Sequence, residues 1–149
     1  MMYPSTNCPQ AAARLLGSAD APNLSGAVQF CQTAHGVLVT AHVSGLPREN
    51  ECGFFALHIH QGESCTGTGF ADTLSHYNPT DAPHPGHAGD LPPLLSNGGE
   101  AYLSVLTDRF QLTDVLGRTV VVHSGPDDFS SQPAGNAGSK IACGVIRPV

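Results

Sequence analysis

The chain has 149 residues, 40% apolar and 12% charged, with a formal net charge of −6, which suits a single domain, residues 1–149, around one hydrophobic core. Its six Lys and Arg are scattered singly, so no nucleic-acid footprint is present, and no apolar run reaches the length of a membrane span. Seventeen Gly, 12 Pro and no Trp fit a turn-rich β protein, while recurring apolar and β-branched residues exclude disorder. Ala11–Gly17 reads as the first strand. Gly26–Gln32 alternates apolar and polar residues, turns through Thr33–Gly36 and returns as Val37–Val43, a hairpin pattern. Gly45-Leu46-Pro47 breaks the period, and Phe54–His60 is the next strand. From Gln61 to Asp90 periodicity is lost to Gly, Pro, Asp, Ser and Thr. A loop of that length within a compact domain is usually functional. Leu91–Leu95 and Glu100–Thr107 flank an Asn97-Gly98-Gly99 turn. Arg118–His123 is strongly β-branched, Ser124–Ser139 is a second loop, and Ile141–Ile146 closes the chain. The sum is eight short strands, no helix and two long loops, the pattern of an all-β antiparallel sandwich or barrel.

The first thirty residues lack a basic segment followed by a long apolar one and so read as having no secretory leader. Five cysteines, an odd number, pull the other way, toward an oxidising compartment. If the N-terminal strand pairs with Gly26–Gln32, Cys8 and Cys31 come close. Localisation therefore stays open between the cytoplasm and a periplasmic or extracellular site.

Histidines carry the chemistry. There are eight of them, and spacing matters more than number. His58 and His60 lie two apart on a strand, so both rings project from one face. Alone that is a weak sign of a ligand pair. His76, His84, His87 and Asp90 add three imidazoles and a carboxylate within fifteen residues of glycine- and proline-rich loop. Three nitrogens and one oxygen make a tetrahedral set suited to zinc. His123 ends a strand beside a loop, where ligands are commonly displayed. Solvated histidines without a shared role would explain any one of these, but not all six together with Asp90. Imidazole suits zinc and copper alike, and the lack of a thiolate favours Cu(II). His35 and His42 fit no ligand position and read as non-functional.

These residues resemble the copper/zinc superoxide dismutase family. Phe55-Ala56-Leu57-His58-Ile59-His60 is similar to its Gly-Phe-His-Val/Ile-His strand, and His76-Tyr77-Asn78-Pro79 to its loop motif. Gly86-His87-Ala88-Gly89-Asp90-Leu91-Pro92 resembles the family's Gly-His-x-Gly-Asp-Leu, with the proline of bacterial members. Gly117–His123 and Gly135–Ile146 resemble its last two strands, the latter as Gly-Asn-Ala-Gly before Ala-Cys-Gly-Val-Ile. The resemblance implies a Greek-key, immunoglobulin-like fold and a superoxide dismutase holding one copper and one zinc. It places copper on His58, His60, His123 and His76, with His76 also bridging to zinc, and zinc on His76, His84, His87 and Asp90. Asp127 then matches the carboxylate that links the outer nitrogens of His58 and His84 and fixes their tautomers. Cys65 and Cys143 match the family disulfide. Lys140, the sole lysine, stands where the family has its active-site arginine, so the cation is kept but the planar guanidinium is lost. Phe55-Ala56 replaces the usual His-Gly, and Ser124–Ser139 is short, as in bacterial members.

The implied substrate is superoxide, and the implied assembly is a monomer or homodimer. The leading alternative is a non-enzymatic copper/zinc buffer or delivery protein on the same fold. An inert structural sandwich is disfavoured because all seven ligands are present. A zinc hydrolase is disfavoured because a four-ligand zinc set leaves no position for water.

Overall fold

A computed structural model describes residues 8–149. The first residues of the stretch read for a leader lie outside it. Seven strands form one curled antiparallel sheet in the order β5-β8-β9-β1-β2-β3-β7, and two short strands, β4 and β6, pair separately. The strands are β1 (Ala11–Gly17), β2 (Ser25–Thr33), β3 (Gly36–Ser44), β4 (Phe54–Phe55), β5 (Leu57–His60), β6 (Leu94–Leu95), β7 (Ala101–Thr107), β8 (Thr119–His123) and β9 (Lys140–Pro148). β4 runs straight into β5 at one edge of the sheet, and β6 contacts β7 at the other. The β4–β6 ribbon thus spans the gap between the two edges and leaves little open edge for unwanted pairing.

Alternation builds the core. In β1, Ala11, Ala13 and Leu15 face in; in β3, Val37, Val39, Ala41 and Val43 do so. The β2–β3 register is unbroken from Ser25↔Ser44 to Thr33↔Gly36. Its turn places His35 in solvent, and His42 on β3 is exposed, 3.2 Å from Glu100 Oε2. Neither joins the cluster of the other six rings.

Three expectations need refinement. Phe54–His60 is two strands, because Ala56 leaves the ladder and bonds elsewhere: its N–H donates to Gly125 O and its C=O accepts from His123 N–H, both at 2.9 Å. Of Leu91–Leu95 only Leu94 and Leu95 pair. The region from Gln61 to Asp90 holds 3-10 turns over Thr68–Thr73, and one α-helical turn, α1 (Leu112–Val115), precedes β8. A Gln111–Asp114 capping box starts that turn.

The Cys65–Cys143 pair is bonded, joining the long loop to β9. Cys8–Cys31 is bonded as well, tying the arm before β1 to β2. Cys52 is the free, exposed thiol among the described residues. No described helix is long and apolar enough to cross a membrane.

Candidate metal centre

The site grows from the two faces of β5. Leu57 and Ile59 enter the core. The alternate residues, His58 and His60, project from the other face and are nevertheless 0% and 2% exposed. The loop from Gln61 to Asp90 covers them. It returns along the free side of β5, where Ile59 N–H donates to Gly89 O, Tyr77 N–H donates to Ile59 O, and Gly89 N–H donates to Tyr77 O, at 2.8–3.0 Å. Isolated bridges pair His60 with His76 and His58 with Asp90. Gly89 is required for this approach, since a Cβ there would sit 2.3 Å from Ile59 O.

β8 adds the next ligand candidate. Val120 and Val122 face the core, which turns His123 to the same outer side as His58. A register shift between Val122 and His123 then sets His123 opposite Lys140 of β9.

Six imidazoles therefore meet. The His76 ring lies 4.0 Å from His58, 4.9 Å from His60, 6.1 Å from His123, 5.4 Å from His84 and 5.2 Å from His87, centroid to centroid. His76 stands between two groups. One group is His58, His60, His76 and His123; a second gathers His58, His76, His84 and Asp90. His87 Nδ1 belongs beside the second, 3.1 Å from His76 Nδ1 and 3.2 Å from Asp90 Oδ2. His58 is near both groups, but Asp127 takes its Nε2 at 2.8 Å, leaving only Nδ1 to serve one of them.

Three buried nitrogens make no hydrogen bond: His58 Nδ1, His76 Nε2 and His84 Nδ1, the last of them only in charge contact with Asp90. Orphaned buried polar atoms are costly and rare. All three face the same clusters, so a cation is the natural partner. On the zinc-like side, His76 Nδ1 lies 2.9 Å from Asp90 Oδ1 and His84 Nδ1 lies 3.1 Å from Asp90 Oδ2. Donor atoms on a tetrahedron around zinc stand about 3.3 Å apart at ordinary bond lengths, so this spacing fits the ion. On the other side, His60 Nε2 and His123 Nε2 are 3.3 Å apart.

The opposite nitrogens are tied down. Asp127, buried, accepts from His58 Nε2 through Oδ2 and from His84 Nε2 through Oδ1, each at 2.8 Å. His60 Nδ1 donates to Leu74 O at 2.9 Å and His123 Nδ1 to Gly138 O at 3.3 Å. Such partners fix which nitrogen remains for an ion. Gly135, at φ +73°, lets the second loop close on this bracket; a Cβ there would overlap Asp127 Oδ1 and crowd His84 Nε2.

Electrostatics agree. Burial, with repulsion from neighbouring imidazoles, pushes His58 down to about 2. Burial likewise pushes His60 to about 2 and His123 to about 4. These rings stay neutral and ready to ligate at neutral pH. Burial works to raise Asp90, but the His76 hydrogen bond and the surrounding rings prevail and hold it below the usual carboxylate range.

A cleft of about 490 Å³ opens beside this cluster, lined by His60, His76, His123, Leu74 and Lys140 among others. Lys140 Nζ donates to Thr73 Oγ1 at 2.7 Å and to Leu74 O at 3.0 Å. Sequence reasoning missed several clamps on the loops. Gln132 reads the His84 backbone in both directions, accepting from N–H at 2.9 Å and donating to C=O at 2.8 Å. Arg109 donates to Pro85 O and His87 O, and Arg118 donates to Gln61 O while lying over the Tyr77 ring. The two arginines are marked in the sequence only by scarcity, being among six Lys and Arg in all, and Gln132 by nothing.

Fold and site together define a β-barrel protein with a histidine-rich dinuclear metal centre on its outer face. Residues 24–146 match the family model for copper/zinc superoxide dismutase. A copper/zinc superoxide dismutase of Aquifex aeolicus is 36% identical over 137 residues, covering 82% of this chain and 78% of that protein. One from Legionella pneumophila is 37% identical over 134 residues, covering 85% and 80%. The solved copper/zinc superoxide dismutase of Brucella abortus has the same fold, with a TM-score of 0.77, 24% identity, and coverage of 91% of this chain and 99% of that one. The chain belongs to the copper/zinc superoxide dismutase family.

Proposed function

We propose that this chain dismutates superoxide to dioxygen and hydrogen peroxide at a copper held by His58, His60, His76 and His123, beside a zinc held by His76, His84, His87 and Asp90. The observation that carries this reading is the set of three buried nitrogens that make no hydrogen bond and face the clusters while Asp127 occupies the opposite nitrogens of two of the same rings. Copper, when bound, supplies one-electron exchange with superoxide, while zinc has no redox chemistry and supplies a fixed charge.

The protein's own groups do the rest. Asp127 and the Leu74 and Gly138 carbonyls hold the His58, His84, His60 and His123 rings in single tautomers. His76 Nε2 is the atom that takes up and returns a proton, because its Nδ1 already lies on the zinc side. The substrate is an anion and the chain is acidic, with net charge −6, so bulk charge repels it and a local positive point is needed. Lys140, in the cleft beside His60 and His123, is that point. The two disulfides support an oxidising compartment, periplasmic or extracellular. The working unit is a monomer or homodimer.

Metal analysis should find one copper and one zinc per chain, and the loaded protein should dismutate superoxide at a rate that falls with ionic strength. Lys140→Ala should slow it severalfold and flatten that salt dependence, while Lys140→Arg should keep or raise the rate. Stoichiometric binding of both metals without dismutation would instead identify a buffer or delivery protein.

A further inference from the structure

We propose that Thr73 is a positioning residue that converts a flexible lysine into a fixed anion-docking point. The inference rests on the reading of Lys140 given above and extends it. A lysine ammonium has three donors on a four-carbon stem, with none of the rigidity of a guanidinium. Two of those donors are engaged here: Thr73 Oγ1 at 2.7 Å and Leu74 O at 3.0 Å. One N–H is left for an anion in the cleft.

Thr73 is fit for the task because it is itself fixed. It is 0% exposed, ends the 3-10 turns over Thr68–Thr73, and donates its own hydroxyl proton to Phe70 O at 2.8 Å. With that proton committed, the oxygen presents lone pairs and serves Lys140 as an acceptor only. Its backbone is held too, since Gly62 N–H donates to Thr73 O at 2.8 Å.

The neighbouring carbonyl adds a second constraint. Leu74 has φ 60° and ψ −149°, a region nearly reserved for glycine. In that conformation its oxygen receives both Lys140 Nζ and His60 Nδ1. The ammonium is therefore registered against a ring of the copper-side cluster through one shared atom. Thr73 supplies the other anchor, without which the stem would pivot about a single bond.

Lys140 is the sole lysine in the chain, so selective 15N-lysine labelling yields one side-chain ammonium signal. In the zinc- and copper(I)-loaded protein that signal should be protected from exchange. Thr73→Val, nearly the same in shape, should abolish the protection and slow dismutation severalfold, and Thr73→Ser should restore both. Thr73→Val combined with Lys140→Ala should be no slower than Lys140→Ala alone. An ammonium signal unchanged by Thr73→Val would overturn the role. So would a Thr73→Val substitution that slows the Lys140→Ala protein as much as it slows the protein with Lys140 in place. If Lys140→Ala leaves the rate and its salt dependence untouched, the reading of Lys140 as the docking charge fails, whatever the ammonium signal reports.

Discussion

Two stretches, one of 20 residues and one of 30, are built on opposite principles. The hairpin of β2 and β3 is a continuous ladder from Ser25↔Ser44 to Thr33↔Gly36, with inward residues alternating along it. The loop from Gln61 to Asp90 has 3-10 turns but no strand of its own. A disulfide, borrowed backbone contacts with β5, arginine side chains and its own histidines hold it. In the hairpin, apolar burial fixes position and backbone bonding follows. In the loop, polar side chains fix position, and their convergence is complete only with a cation at its centre. The first region should be indifferent to metal and the second should depend on it.

Metal removal is the largest test of that contrast. Chelation should strip hydrogen-exchange protection from amides in residues 61–90 while the β2–β3 ladder keeps its own; uniform loss in both would erase the distinction. The disulfides come next. Closing the 78-residue separation of Cys65 and Cys143 is worth about 4–5 kcal/mol in the chain-entropy model, and the 23-residue separation of Cys8 and Cys31 about 3–3.5 kcal/mol. Paired Cys→Ser substitutions should lower the denaturation midpoint in that order.

Within β5 the two faces should separate cleanly. Ile59→Ala should cost about 2–5 kcal/mol of stability in a metal-free preparation. Asp127→Asn should instead weaken metal binding by about 10–100-fold, read by chelator competition.

A change of pH tests the buried rings together. His58, His60 and His123 resist protonation when folded, whereas the unfolded chain takes up protons near pH 6.5. The unfolded state then binds more protons, so stability of the metal-free protein is full above pH 6.5 and falls as pH drops through 6 toward 4. A midpoint flat from pH 7 to 5 would contradict the burial of these rings.

Much of this contrast could be read from the sequence, and the limits have physical reasons. Residue patterning located β1, β2, β3, β7 and β8 to within about a residue, by alternation in β2 and by a β-branched run in β8, because burial leaves a direct trace in residue type. It could not divide Phe54–His60, since the break depends on Ala56 exchanging hydrogen bonds with Gly125 and His123, far along the chain. The His and Asp side chains that the structure gathers could be singled out because ligand chemistry restricts candidates to those types at motif spacings, and the Cys65–Cys143 bond was legible only through the family resemblance. The supports were not legible. Thr73, Gln132 and Arg109 act through hydrogen bonds spanning 67, 48 and 22–24 positions, and nothing in their own residue type announces it.

Asp127 carries a thermodynamic consequence. Its two oxygens grip one ring from each cage, so freezing His84 for one ion also restricts His58 for the other. Both rings are held on Asp127 before either ion arrives, so neither ion bears the whole cost of ordering them.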